Sequence, residues 1–135
     1  VIPGRVKFSI DLRNSTDALV DQMADEVKAF AATVAQEHGV DVKIEMVSSY
    51  SAIGFHPDCV DAVARAAAKL GYSNMPVVSG AGHDAVYMAK LTSSGMIFIP
   101  CKDGISHNEI EDAKPEHITA GCNVLLHAML ERAGS

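Results

Sequence analysis

The chain has 135 residues, 48% of them hydrophobic, and a formal net charge of −6. That length accommodates one ordinary domain or two small subdomains. With both signs spread along an acidic chain, there is no basic patch for nucleic acid, no basic helix for a membrane surface and no run of ~20 apolar residues to span a bilayer.

The chain opens on Val1-Ile2-Pro3-Gly4, with no initiating Met and no positively charged leader, and reads as a start in mid-protein. From Arg5 to Arg13 apolar and polar residues alternate. Val6, Phe8, Ile10 and Leu12 share one face; Arg5, Lys7, Ser9, Asp11 and Arg13 share the other. This is the pattern of a half-buried strand. Asn14-Ser15-Thr16-Asp17 offers N-cap residues for a long helix, along which Leu19, Met23, Val27, Phe30, Ala31 and Val34 recur at helical spacing until Gly39. Val42, Ile44 and Met46 then predict a second strand, completing a β-α-β unit, and Ser48-Ser49-Tyr50-Ser51 reads as a connector. Pro57 opens a second helix that Gly71 ends; Met75–Val78 reads as a short strand. A glycine-rich turn, Ser79-Gly80-Ala81-Gly82-His83-Asp84-Ala85, leads into a helix running to about Lys90. The apolar run Met96–Ile99 predicts a buried strand stopped by Pro100, and Pro115 opens a last helix with Ile118, Cys122, Leu125, Leu126 and Met129 on one face.

Cys59, Cys101 and Cys122 are odd in number and lack CxxC spacing, so they read as small apolar residues in a reducing cytoplasm.

Two stretches carry chemistry. The loop after Pro100 holds His107, with Glu111 four residues on. A loop beyond the end of a buried strand is where open α/β sheets place their reactive groups. An imidazole there can bind a metal through one nitrogen while the other is oriented by a hydrogen bond. One histidine, however, is about a quarter of a metal site. The glycine turn is the second stretch: successive N–H groups at a helix start attract negative charge. It is not a dinucleotide fingerprint, because Ala85 stands where GxGxxG requires its last glycine.

Val1-Ile-Pro-Gly through Phe8-Ser-Ile-Asp-Leu-Arg13, then Ser79-Gly-Ala-Gly-His-Asp-Ala85, then Gly95-Met-Ile-Phe-Ile-Pro and Gly104-Ile-Ser-His-Asn-Glu-Ile-Glu111 together resemble the carboxy-terminal part of the amidase, hydantoinase/carbamoylase family. Its members include N-carbamoyl-L-amino acid hydrolases, β-ureidopropionases, allantoate amidohydrolases and ureidoglycolate hydrolases, within the superfamily of dinuclear zinc metallopeptidases. The resemblance implies an α/β fold in two parts. Residues 1–48 would be the second half of a small α/β lid domain that also makes a homodimer. Residues 49–135 would be the C-terminal part of an α/β catalytic domain. It further implies two divalent metal ions (zinc, or manganese, cobalt or nickel) and a small ureido-acid substrate such as an N-carbamoyl-L-amino acid, allantoate, ureidoglycolate or 3-ureidopropionate.

Carried over residue by residue, the resemblance makes His107 the ligand completing the second metal site. Arg13 becomes the bidentate clamp on the substrate carboxylate. Gly82, with Ser79 and Gly80, lines the substrate pocket; Glu111, His83 and Asp84 support. The resemblance implies that the other metal ligands and the general base lie in an earlier part that these residues lack, which a companion N-terminal fragment would supply. No catalytic base is therefore assigned within the chain. The residues read without the family offer plainer roles. Arg13 is a structural or surface charge, His83 a buried histidine capping backbone and Glu111 a helix N-terminal acid. His38, His56, His117 and His127 are surface or core residues. Two other functions stay open: an aminoacylase- or dipeptidase-type metallohydrolase, or an inactive fragment of such an enzyme.

Overall fold

The computed structural model describes residues 2–134. The chain divides into two compact units, Val1–Ala52 and Ile53–Ser135.

In the first unit, α1 (Asp17–His38) follows Thr16, whose backbone is extended and whose hydroxyl makes no capping bond. The opening turn is closed instead by the Val20 N–H on the Thr16 carbonyl at 3.3 Å. Asp17, at the positive end of the helix dipole, accepts the Ala52 N–H at 2.7 Å and so ties the connector back to the first turn of α1. Val20, Met23, Ala24, Val27, Ala31, Val34 and Ala35 form the half-buried stripe. Phe30, expected on that stripe, is 71% exposed. Gly39 ends the helix at φ +63°, with Val40 N–H reaching the Ala35 carbonyl at 3.1 Å.

Among the described residues no strand is formed. The segments expected as strands, 5–13, 42–46, 75–78 and 95–99, are therefore unpaired in this chain, and the β-α-β unit is not formed among the described residues. Alternation specifies which side chains share a face; a strand also needs a second backbone about 4.8 Å away to accept its N–H groups. No such ladder forms here, and the apolar faces lie open: Phe8 is 77% exposed and Met46 70%.

The second unit is built on α2 (Pro57–Lys69) and α4 (Pro115–Ala133), which pack against each other. Each opens on proline at the first turn, where a missing N–H leaves no bond unmade. His56 caps α2 through Nδ1, which accepts the Asp58 N–H at 3.2 Å. The α2 C-terminus is closed by Gly71 at φ +75°, which lets the Tyr72 N–H reach the Ala67 carbonyl at 2.9 Å. Ala62, Ala66 and Ala67 of α2 bury against Val124 and Ala128 of α4; such small side chains let the helix backbones approach closely. Arg65 reaches across to Glu131 at 2.6 Å and holds that carboxyl below its usual range by hydrogen bonding. Both groups are exposed, so the pair sets orientation more than stability. A short helix, α3 (Asp84–Ala89), follows the glycine turn.

The apolar run 95–99 touches both α2 and α4. Ile97 packs on the buried cluster. A Cβ on Gly95 would lie 3.1 Å from Cys59 Cβ of α2, and one on Gly121 of α4 would lie 2.6 Å from Ile99 Cγ2. Gly121 is thus the gap into which Ile99 fits, and this contact anchors the start of the loop that carries His107. Ile99 is β-branched and stiff at χ1, so it cannot swing aside. Gly121→Ala should therefore destabilise the chain by about 1–3 kcal/mol through overpacking, more than the ~0.5–1 kcal/mol gained in helix propensity. Urea unfolding of the parent and variant checks this; an equal or higher midpoint in the variant would contradict the contact.

No helix among the described residues is long and apolar enough to cross a membrane.

Candidate functional site

The loop from Cys101 to Asp112 is closed at its neck by the Lys102 N–H on the Asp112 carbonyl at 2.7 Å. It starts with a 3-10 turn, Lys102–Gly104, in which Asp103 takes φ +55°. His107 also takes φ +55°, a left-handed conformation that costs a non-glycine residue about 1–3 kcal/mol. Glu111 holds it there: its Oε2 accepts the His107 backbone N–H at 2.8 Å, while Oε1 lies 3.9 Å from Cys101 Sγ. Glu111 therefore acts on the His107 backbone rather than on its ring, and it lies outside any helix, which removes its reading as a helix N-terminal acid. The His107 imidazole is exposed and makes no hydrogen bond among the described residues.

In the glycine turn, Ser79 Oγ lies 2.7 Å from His83 Nε2 and accepts the Ala81 N–H at 3.2 Å. His83 occupies the N-cap position of α3 without making a cap bond, so its expected capping role is not what holds it. Its ring instead meets Phe98 edge-on, centroids 5.6 Å apart at 64°. Asp84 opens α3. Gly80 and Gly82 are exposed, and nothing beyond their chain neighbours lies within 4 Å of where a Cβ would stand.

Arg13 belongs to the first unit. Its Nε donates to both carboxylate oxygens of Asp11 at 3.0 Å, and its Nη2 pairs with Asp11 Oδ2. Residues two apart on one face of an alternating segment make this pairing natural. The Arg13 hydrogen bond holds the Asp11 carboxyl below its ordinary range. Because the folded value is depressed, the pair's contribution is complete above the ordinary aspartate value and is lost as pH falls through the lowered one. An NMR titration of the Asp11 side chain should give a midpoint below the ordinary value, and Arg13→Ala should raise it. A midpoint at the ordinary value in the parent would contradict the pairing.

The structure thus joins Ser79 to His83 and Glu111 to His107. Arg13 lies in the other unit. The sequence offered no sign of three further features. His56 caps α2. The Nδ1 of His117 is buried without a hydrogen-bond partner among the described residues. A cleft of about 290 Å³, lined by Gly54, His56, Lys90, Leu91, Thr92 and Ser93 among others, contains none of the predicted site residues.

Residues 4–131 match Peptidase family M20/M25/M40. The chain belongs to this family. It is 45% identical over 133 residues to an N-carbamoyl-L-amino-acid amidohydrolase of Rhizobium meliloti, covering 98% of this chain and 32% of that relative. More distant relatives are an allantoate amidohydrolase of Bacillus subtilis (28% identical; 98% of this chain, 32% of the relative) and a ureidoglycolate hydrolase of Arabidopsis thaliana (30%; 92% and 26%). Among solved structures, an amidase of the hydantoinase/carbamoylase family from Burkholderia multivorans superposes with a TM-score of 0.88 at 48% identity, covering 90% of this chain and 30% of that one. The chain therefore spans about a third of the length of these relatives.

Family membership raises the question of divalent cations. An exposed imidazole held on a clamped loop suits a metal ligand. Yet among the described residues no group of three or more His, Cys, Asp or Glu side chains is brought together, whereas a protein metal site takes about three or four ligands. His107 thus fits as one ligand and these residues do not make a site.

Proposed function

We propose that the full-length protein, meaning the intact polypeptide of the relatives' length that contains this chain, is an amidohydrolase. Its reaction is removal of the carbamoyl group from N-carbamoyl-L-amino acids or related ureido acids. The observation that carries this reading is the near-complete alignment of the chain with the Rhizobium amidohydrolase. The geometry supports it. Arg13 already grips a carboxylate, that of Asp11, and a substrate carboxylate presents the same two oxygens to its planar fork. The open space at Gly82 lets a ligand approach the turn's backbone, and His83 offers a second ring nitrogen there. His107 presents its imidazole from a fixed loop.

In this reaction water adds to the ureido carbonyl, the bond to the amino-acid nitrogen breaks, and the carbamate released decomposes to ammonia and carbon dioxide. Divalent cations, where bound, would supply Lewis acidity and an activated water. The proton acceptor and the remaining ligands lie outside this chain. The unpaired apolar segments belong, in this proposal, to mixed α/β sheets completed by the rest of the polypeptide, with a homodimer formed through the lid part and a reducing cytoplasm suited to three free cysteines. The peptidase name of the matched family favours a second reading, hydrolysis of N-acyl amino acids or dipeptides, in which Arg13 would serve equally.

The carboxylate clamp is tested with Arg13→Lys in the full-length protein. Losing one prong of a charge-assisted pair costs about 1–3 kcal/mol, so kcat/KM for ureido acids should fall about 5- to 150-fold. The loss should largely disappear for the corresponding amides. Equal losses on acids and amides would remove Arg13 from carboxylate recognition.

A further inference from the structure

We propose that Ser79 is a positioning residue that fixes the tautomer of His83, so that the imidazole presents an Nδ1–H donor to an oxygen of the substrate. The proposal rests on the functional reading above for what that donor meets, and on the geometry of the turn for everything else.

The assignment follows from where the Ser79 hydroxyl can send its proton. Its oxygen accepts the Ala81 N–H at 3.2 Å, leaving one lone pair and the proton. If His83 Nε2 carried hydrogen, Ser79 would accept a second bond from it, and its own proton would be left to the Ala81 carbonyl at 3.5 Å or, because Ser79 is exposed, to water. The carbonyl contact is beyond the 2.5–3.0 Å range of good O–H···O bonds. If Nε2 is bare, Ser79 donates to it at 2.7 Å, near the best distance for a hydroxyl donor. The second arrangement keeps the hydroxyl proton within the turn at the favourable 2.7 Å distance, and it places the hydrogen of the neutral ring on Nδ1. A histidine's tautomer is set by the bond its other nitrogen makes.

The ring is also held against rotation. Phe98 packs edge-on against it at 5.6 Å, and Phe98 lies on the 95–99 run anchored by Ile99 at Gly121. The Nδ1 nitrogen makes no hydrogen bond among the described residues. A half-buried ring with one nitrogen saturated, its face braced and the other nitrogen uncommitted is arranged to donate outward. His83 follows Gly82 directly, where the space around the backbone is open. A ureido carbonyl or a carboxylate oxygen is the acceptor such a donor fits.

The test uses the full-length protein labelled with 15N-histidine, with His83→Gln to assign the His83 signals. Ser79→Ala removes the hydroxyl and Ser79→Thr keeps it. In the parent, His83 should appear as the Nδ1–H tautomer. In Ser79→Ala it should move toward Nε2–H, kcat/KM for a ureido acid should fall about tenfold, the worth of one hydrogen bond, and metal content and melting temperature should stay as in the parent. Ser79→Thr should restore both tautomer and rate. An Nε2–H ring in the parent, an unchanged tautomer in Ser79→Ala, or a changed tautomer with unchanged turnover would overturn the proposal. If the parent hydrolyses no ureido acid, the functional reading fails, and the tautomer signals still decide whether Ser79 sets the ring.

Discussion

His107→Ala in the full-length protein should lower ureido-acid turnover by about 100- to 1,000-fold and remove close to one equivalent of tightly bound metal per subunit. The loop holds the His107 backbone in a fixed conformation. Its neck is closed by Lys102 and Asp112, and Glu111 holds the His107 N–H in a left-handed conformation at 2.8 Å. Removing the ring leaves the clamp intact, so the loss should reflect the missing ligand rather than a misfolded loop. A metal ion contributes several kcal/mol of charge stabilisation in such hydrolases, at about 1.4 kcal/mol per decade of rate. Elemental analysis and steady-state kinetics on the same preparation check both parts. Two tightly bound metals with near-parental turnover would remove His107 from the ligand set.

The 135-residue chain assayed alone should release no ammonia from N-carbamoyl amino acids above the buffer rate, even with added divalent metal. It gathers no cluster of three candidate ligands among the described residues, and activation of water needs both a cation held in place and a base to take its proton. The same chain should self-associate. Leu125, Leu126, Met129 and Leu130 of α4 and Phe8 and Met46 of the first unit are all about half exposed or more, and apolar surface of that extent is ordinarily covered. Sizing chromatography with inline mass measurement, alongside the assay and a circular-dichroism check that the helices are formed, tests this. A helical monomer that turns over substrate would refute the account of an incomplete site.

How far the sequence could be read follows from which signals are local. Pro57, Pro115, Gly39 and Gly71 bound helices by their own backbone preferences, and the helices begin and end at them. The alternation at Val6, Phe8 and Ile10 is equally clear in the sequence, but pairing depends on a second backbone, and none ladders with it among the described residues. The site divides the same way. His107 was visible as a histidine on a loop after an apolar run. Its positive φ was not, because nothing but Gly104 nearby marks left-handed backbone. The Ser79–His83 bond arises because the glycine turn folds residues four apart onto each other, a closure that composition does not reveal. Asp11 beside Arg13 could have been found, since both stand on the polar face of one alternating segment.

The most direct measurement is the product balance of the full-length protein on matched substrates: an N-carbamoyl-L-amino acid, its N-acetyl counterpart and a dipeptide. The account predicts free amino acid and ammonia in equal amounts from the first, at a rate well above hydrolysis of the other two. Hydrolysis of the N-acetyl compound or the dipeptide with no ammonia from the N-carbamoyl substrate would contradict it.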